Sequence, residues 1–294
     1  MRQKGVQVPS FSVKLRHLRL QGQSNTELAI TNNTDTVVIA VHGWQDNSNS
    51  FLPLMSALGK DLPVYAIDWP GHGLSQWRGQ DAHYYFIDYV DDLHQLVMRC
   101  KAKYVHIIGH SLGAMVASLY CACFSERITS LSLIEGVGLV TAEEPDTKNL
   151  LIQALKHRAR AKKGAIYESA EQLCERREAV SDFNIDIARQ LMARNIVKKE
   201  QGVMLTTDPR LKHYSAFRYT KAQAHALLTP IKVPTLLIKG AQGYSMVHQN
   251  EQEFSKCYND LVTHTVDGGH HCHMQSPKQC ARLIGAHLHQ NSAE

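Results

Sequence analysis

Short apolar runs recur along the chain, each closing on a small or polar residue. Val37-Val38-Ile39-Ala40-Val41 stops at His42-Gly43, and Pro63-Val64-Tyr65-Ala66-Ile67 stops at Asp68. Tyr104-Val105-His106-Ile107-Ile108 stops at Gly109, and Leu131-Ser132-Leu133-Ile134 stops at Glu135. Thr235-Leu236-Leu237-Ile238 and Leu261-Val262-Thr263-His264-Thr265-Val266 follow later. Near-continuous β-branched runs of this length suit strands covered on both faces, as in a parallel sheet. Helical spacing fills the gaps at about 51–58, 85–101, 112–124 and 277–289. Strand alternating with helix predicts an α/β fold with a mostly parallel, doubly wound sheet. Ahead of these elements, 13–20 and 26–31 are expected to form an antiparallel edge hairpin.

The rhythm breaks between Thr141 and Pro230. No strong strand run occurs there, and helix signals take over. A helix over 148–161 stops before Gly164. Ser169-x-x-Gln172 reads as a capping box opening a second helix. The stretch 185–195 is amphipathic, and Thr220 can cap a helix over 221–228 before Pro230. The expected organisation is therefore a core formed by 1–140 and 231–294, with a helical cap or lid inserted over 141–230.

Composition narrows the function classes. Of 294 residues, 44% are hydrophobic and 20% charged, a globular balance. The formal charge of +5 is a mild excess that does not suggest a nucleic-acid binder. The whole excess falls within 141–230, so any preference for an anionic substrate would be felt there. No apolar run reaches the ~18 residues needed to span a bilayer. Met1-Arg2-Gln3-Lys4-Gly5 is followed by no apolar stretch of signal-peptide type. Seven cysteines without a CxxC suit free thiols in a reducing compartment. The expectation is a cytoplasmic protein without nucleic-acid or membrane partners. Cys121 and Cys123 are expected in the core.

Chemistry concentrates at strand ends. Gly109-His110-Ser111-Leu112-Gly113 is a G-x-S-x-G motif between a strand and a helix. A sharp turn there holds the central side chain exposed in a strained backbone, at a helix N-terminus that favours negative charge. Ser111 is the expected nucleophile. The backbone amides of Trp44, in His42-Gly43-Trp44, and of Leu112 are the candidate oxyanion donors. The Trp44 ring could equally be an ordinary core tryptophan. Gly268-Gly269-His270-His271-Cys272-His273 follows the last strand, where the base belongs. His270 is the first choice and His271 the alternative, with His273 a packing or hydrogen-bonding residue. The cluster lacks the paired spacing of a structural zinc site, and neither metal nor cofactor is expected. The acid is less direct, because Gly240-Ala241-Gln242-Gly243 offers no carboxylate after its strand. Glu135, at the tip of the neighbouring strand, can reach the same histidine, with Asp267 as a fallback. Asp68-Trp69-Pro70-Gly71-His72-Gly73-Leu74-Ser75 reads as a loop former rather than a source of the base. Tyr84-Tyr85-Phe86, Trp69 and Trp77 read as packing residues before acyl-pocket residues, and 157–163 as a solvated basic helix end.

His42-Gly43, Asp68-x-Pro70-Gly71-x-Gly73-x-Ser75, Gly109-His110-Ser111-x-Gly113 and Gly269-His270 together resemble the α/β-hydrolase superfamily. His42-Gly43-Trp44-Gln45-Asp46-Asn47, Leu133-Ile134-Glu135-Gly136 and Asp208-Pro209-Arg210-Leu211 are similar to its serine hydrolase-like protein subgroup. The resemblance covers about 36–290. It implies serine-based hydrolysis rather than the dehalogenase or epoxide hydrolase chemistry of relatives that carry Asp at the position of Ser111. Some dehalogenases place their acid at the strand end matched by Glu135. The implied function is cleavage of a carboxylic ester or related acyl bond, with a small-molecule acyl substrate. Cofactor-free lyase or acyl-transfer chemistry on the same residues, and a non-catalytic ligand-binding homologue, are the rival readings.

Overall fold

A computed structural model describes residues 8–159 and 164–292. Each apolar run becomes a strand of one eight-stranded sheet. Its members are β1 (Ser10–Lys14), β2 (Arg19–Ser24), β3 (Thr36–Val41), β4 (Val64–Ile67), β5 (Tyr104–His110), β6 (Ser130–Ile134), and, after an insertion, β10 (Thr235–Gly240) and β11 (Leu261–Val266). The spatial order is β1-β2-β4-β3-β5-β6-β10-β11. β2 alone runs against the other strands, pairing antiparallel with β1 and β4; the pairings from β4 to β11 are all parallel.

Alternation along the strands divides two apolar layers. Val37, Ile39 and Val41 join one with α2 (Phe86–Val97) and α3 (Leu112–Cys123), whereas Val38 and Ala40 join the other with α1 (Leu52–Leu58) and α10 (Pro277–Ser292). The central helix α3 is apolar almost all round and is buried from Gly113 to Cys121. Cys123 departs from its expected core position: it lies in the last turn of α3 and is exposed. β11 is an edge strand with most of its residues accessible, so its run is not covered on both faces as predicted.

The N-terminal hairpin forms, with a different register. Its strands are β1 and β2, and the turn lies within the segment expected to be one strand, where the Leu15 amide donates to the Leu18 carbonyl at 2.8 Å. The predicted second strand at 26–31 is not a strand. Val13, Leu15, Leu18 and Leu20 are all buried, so the apolar spacing signalled packing and the turn within it went unread.

Between β6 and β10 lie α4 (Thr147–Ala159), β7 (Ile166–Tyr167), α5 (Ala170–Glu178), α6 (Ile185–Met192), β8 (Ile196–Lys199), β9 (Gly202–Leu205) and α7 (Lys221–Leu228). The helices match their capping signals: Ser169 accepts from the Gln172 amide, and Thr220 with Gln223 forms a full capping box. Residue 161 and most of the basic run 157–163 lie outside the described residues. The expectation of an all-helical segment is corrected by an antiparallel sheet of order β7-β9-β8. Strands of two to four residues are too short to leave a period-2 signature.

Polar contacts stitch this insertion to the sheet. Arg194 Nε lies 2.8 Å from Asp68 Oδ2, with both side chains buried. Asp68 also accepts from the amides of Ser48 and Leu74. The Asp68 motif is thus a folding device, in line with its reading as a loop former. Arg194→Ala would strand a buried carboxylate. The expected cost is about 3–5 kcal/mol, read from urea unfolding of the two proteins. Asp208 accepts from Tyr84 Oη at 2.7 Å, and its amide donates to the Gly71 carbonyl. Trp69 is a fully buried core residue, whereas Trp77 is exposed and donates to the Thr206 carbonyl. Among the described residues, no helix is long and apolar enough to cross a membrane.

Candidate active site

β5 ends at His110 and α3 begins at Leu112, which leaves Ser111 as the turn between them. Its backbone is left-handed, with φ 51° and ψ −115°. Among the described residues, the other non-glycine positions with positive φ are Glu135 at 49° and Gln45 at 65°. All three sit beside the same spot at the C-terminal edge of the sheet, and strain of this kind persists only where the surroundings enforce it. The turn is close because Gly113 lies against the Val41 carbonyl, where a side chain would collide.

His270 enters from the loop between β11 and α9 (Cys272–Gln275). Its Nε2 is 2.9 Å from Ser111 Oγ, and its Nδ1 is 3.1 Å from Glu135 Oε2. A carboxylate can only accept, so Nδ1 carries the proton and Nε2 presents a lone pair to the serine hydroxyl. Expected nucleophile, base and acid therefore meet in one hydrogen-bonded chain.

Glu135 is buried and fully engaged. Oε1 accepts from the Gly240 amide at 2.8 Å, and Oε2 accepts from the Tyr244 amide at 3.2 Å as well as from His270. The carboxylate fills the space in front of Gly243, so a Cβ at that position would overlap it. The lack of a carboxylate after β10 and the glutamate after β6 go together: glycine at 243 leaves the space that the Glu135 carboxylate, from the neighbouring strand, occupies. Asp267, the fallback, instead accepts from Gln279 Nε2 at an exposed position.

Tyr244 escaped the sequence reading. Its ring stacks on His270, with centroids 4.0 Å apart and planes within 11°. It opens α8 (Ser245–Phe254) and is half-exposed, so it covers the imidazole while its amide donates to the Glu135 carboxylate. An aromatic residue at a helix start carries no sequence signal for this role.

Across Ser111 runs the loop after β3. A side chain at Gly43 would approach Ser111 Cβ to 3.1 Å, so the backbone bearing Trp44 passes close to Ser111. The Trp44 ring is not a core residue. It is 52% exposed, and its Nε1 donates to the Leu211 carbonyl of the insertion. Leu112 begins α3, so its amide lies among the unpaired donors of a helix start.

The remaining histidines have other tasks. His271, the alternative base, does not contact Ser111; Asp182 and Asp46 hold its two nitrogens. His273 is buried against Phe51 and His110, and burial pushes its pKa well below the ordinary value. His72 packs on His42 and Tyr89, and burial lowers it to about 3. Among the described residues, Asp46, His110 and His271 bring ligand-type atoms within 4.8 Å of one another. The Arg177 guanidinium, 2.8 Å from Asp46 Oδ1, makes that spot unfavourable for a cation.

A profile of the α/β-hydrolase fold matches residues 36–277, more than three quarters of the chain. The chain belongs to the α/β-hydrolase family. Serine hydrolase-like protein of Danio rerio is 27% identical to it over 272 residues, covering 87% of this chain and 82% of that protein. Monoacylglycerol lipase ABHD6 of Rattus norvegicus is 26% identical over 264 residues, covering 84% and 73%. The crystal structure of a hypothetical protein from Pseudomonas aeruginosa PAO1 superposes with a TM-score of 0.85 at 28% identity, covering 97% of this chain and all of that one. This α/β-hydrolase is thus a hydrolase with serine hydrolase-like relatives, as its motifs implied.

Proposed function

We propose that this hydrolase cleaves a carboxylic ester or a related acyl bond through an acyl-enzyme on Ser111. The observation that carries this reading is the chain of contacts through His270, whose Nε2 is 2.9 Å from Ser111 Oγ and whose Nδ1 is 3.1 Å from Glu135 Oε2. His270 takes the serine proton as Oγ attacks the acyl carbonyl. The amides of Trp44 and Leu112 face the developing oxyanion, where fixed dipoles act with little reorganisation. Glu135 keeps the ring in the required tautomer and stabilises the imidazolium. His270 then returns the proton to the leaving alcohol, water attacks the acyl-enzyme with His270 as base, and Ser111 is regenerated. The residues from 141 to 230 serve as the cap of this site, and the protein works in the cytoplasm without metal or cofactor.

A relative named as a monoacylglycerol lipase supports ester substrates and directs the choice of panel. Monoacylglycerols and simple alkyl esters turned over in ¹⁸O-water should yield carboxylic acid carrying the label. Acid release without label, or acyl transfer to an alcohol in place of water, would replace hydrolysis by one of the rival chemistries. Absence of turnover across the panel would favour a ligand-binding role.

A further inference from the structure

Beside Ser111, His270 and Glu135 lies a second buried group of charges that the proposed reaction does not consume. His271 sits at its centre. Its Nδ1 is 2.9 Å from Asp182 Oδ1, and its Nε2 is 3.2 Å from Asp46 Oδ2. A neutral imidazole would aim one lone pair at a carboxylate, so both nitrogens carry protons and the ring is a cation. Asp46 also binds Arg177 Nη2 at 2.8 Å. Two carboxylates thus balance one imidazolium and one guanidinium.

The other groups facing His271 are accounted for. His110 lies 5.0 Å away, centroid to centroid, and its Nε2 donates to the His270 carbonyl at 2.9 Å. Its Nδ1 stands 3.5 Å from Asp46 Oδ2, and burial outweighs that carboxylate and lowers the His110 pKa to about 4. His273 is held neutral in the same way, His270 stands edge-on at 5.4 Å, and the Phe183 ring meets His271 at 4.7 Å. Arg177 lies over that phenylalanine. Burial alone would push the His271 pKa down, but Asp46 and Asp182 outweigh it and hold it up at about 9. Burial would likewise raise Asp182, but its hydrogen bond to His271 and that ring's charge bring it down to about 2.

These four side chains come from three parts of the chain. Asp46 belongs to the loop that carries Trp44, His271 follows the base, and Arg177 and Asp182 lie in the insertion, on α5 and between α5 and α6. Asp182 also grips the base loop through its backbone. Its Oδ2 accepts from the His271 amide, and its carbonyl accepts from Gln275 Nε2, while Gln275 Oε1 receives the Gly269 amide. Its carboxylate occupies the space where a Cβ on Gly269 would stand.

Resting on the proposed roles of Ser111 and His270, we infer that Asp182 and Asp46 are positioning residues, which use His271 as a buried cation to clamp the base loop and so make catalysis depend on a seated insertion. The clamp has a defined pH window. A His pKa raised from 6.5 to about 9 gives a stabilisation fully present below 6.5 and lost as pH rises through about 9. The depressed Asp182 contributes stabilisation present above 3.8 and lost as pH falls through about 2.

The test is the rate of Ser111 modification by a small fluorophosphonate across pH, for wild type, Asp182→Asn and Asp182→Glu. Wild type should react fastest at neutral to mildly alkaline pH and slow above about 9. Asp182→Asn should be roughly 10- to 100-fold slower, with its alkaline limb moved down by about one pH unit. Its kcat on a short ester should fall with little change in KM, and Asp182→Glu should recover part of the rate. An Asp182→Asn profile of wild-type shape would overturn the clamp while leaving Ser111 as nucleophile. Failure of folded wild type to react at Ser111 would overturn both. NMR titration of His271 in the wild type decides without any variant: titration above pH 8 supports the clamp, and titration near 6.5 removes it.

Discussion

Ser111→Ala is expected to abolish ester turnover while leaving the fold in place. The substitution removes only Oγ, whose partner is His270 Nε2. Alanine tolerates the left-handed backbone at this position no worse than serine does, and the turn is enforced by its neighbours. The loss is chemical. His270 would have no hydroxyl to deprotonate, and only substrate binding and the oxyanion donors would remain. The expected fall in kcat is about 10⁶-fold, by analogy with serine proteases. Thermal melting of the variant should lie within a few degrees of wild type. Substantial turnover by a folded Ser111→Ala protein would remove the acyl-enzyme from the mechanism.

Glu135→Gln should have the next largest effect, because the carboxylate's two oxygens accept from three donors. Oε1 faces the Gly240 amide, and Oε2 faces both the Tyr244 amide and His270 Nδ1. A glutamine amide must place its NH₂ on one side. Toward Gly240 it sets donor against donor. Toward His270 it favours the tautomer that has a lone pair on Nδ1 and a proton on Nε2. That proton would face Ser111 Oγ, and the base would be disabled. The expected loss in kcat is about 10⁴-fold, with KM little changed. Wild-type turnover in Glu135→Gln would contradict the role of Glu135.

The two substitutions probe the part of the site that was legible in the sequence. Ser111 is marked by a motif whose strand and helix are both evident, and His270 by its place after the last strand. Glu135 is the candidate acid because a carboxylate ends its strand and the usual acid position holds glycine. The structure supplies the reason: Gly243 is where the Glu135 carboxylate lies. The sheet was legible because buried parallel strands are apolar over their whole length. Contacts formed only by tertiary folding were not. Asp46 and His271 are 225 residues apart in sequence, and Asp182 and His271 are 89 apart. His271 therefore read only as a second choice for the base. The short strands of the insertion and the turn at Leu15 were missed for a related reason, since local spacing records which residues are buried more faithfully than where the chain reverses.

In the proposed mechanism Ser111 is an activated nucleophile. The most direct test is reaction of the folded wild-type protein with a fluorophosphonate, followed by peptide mapping by mass spectrometry. Stoichiometric modification at Ser111, absent from the Ser111→Ala protein, is the predicted result. An unmodified Ser111 in folded protein, or modification at another residue, would contradict the account.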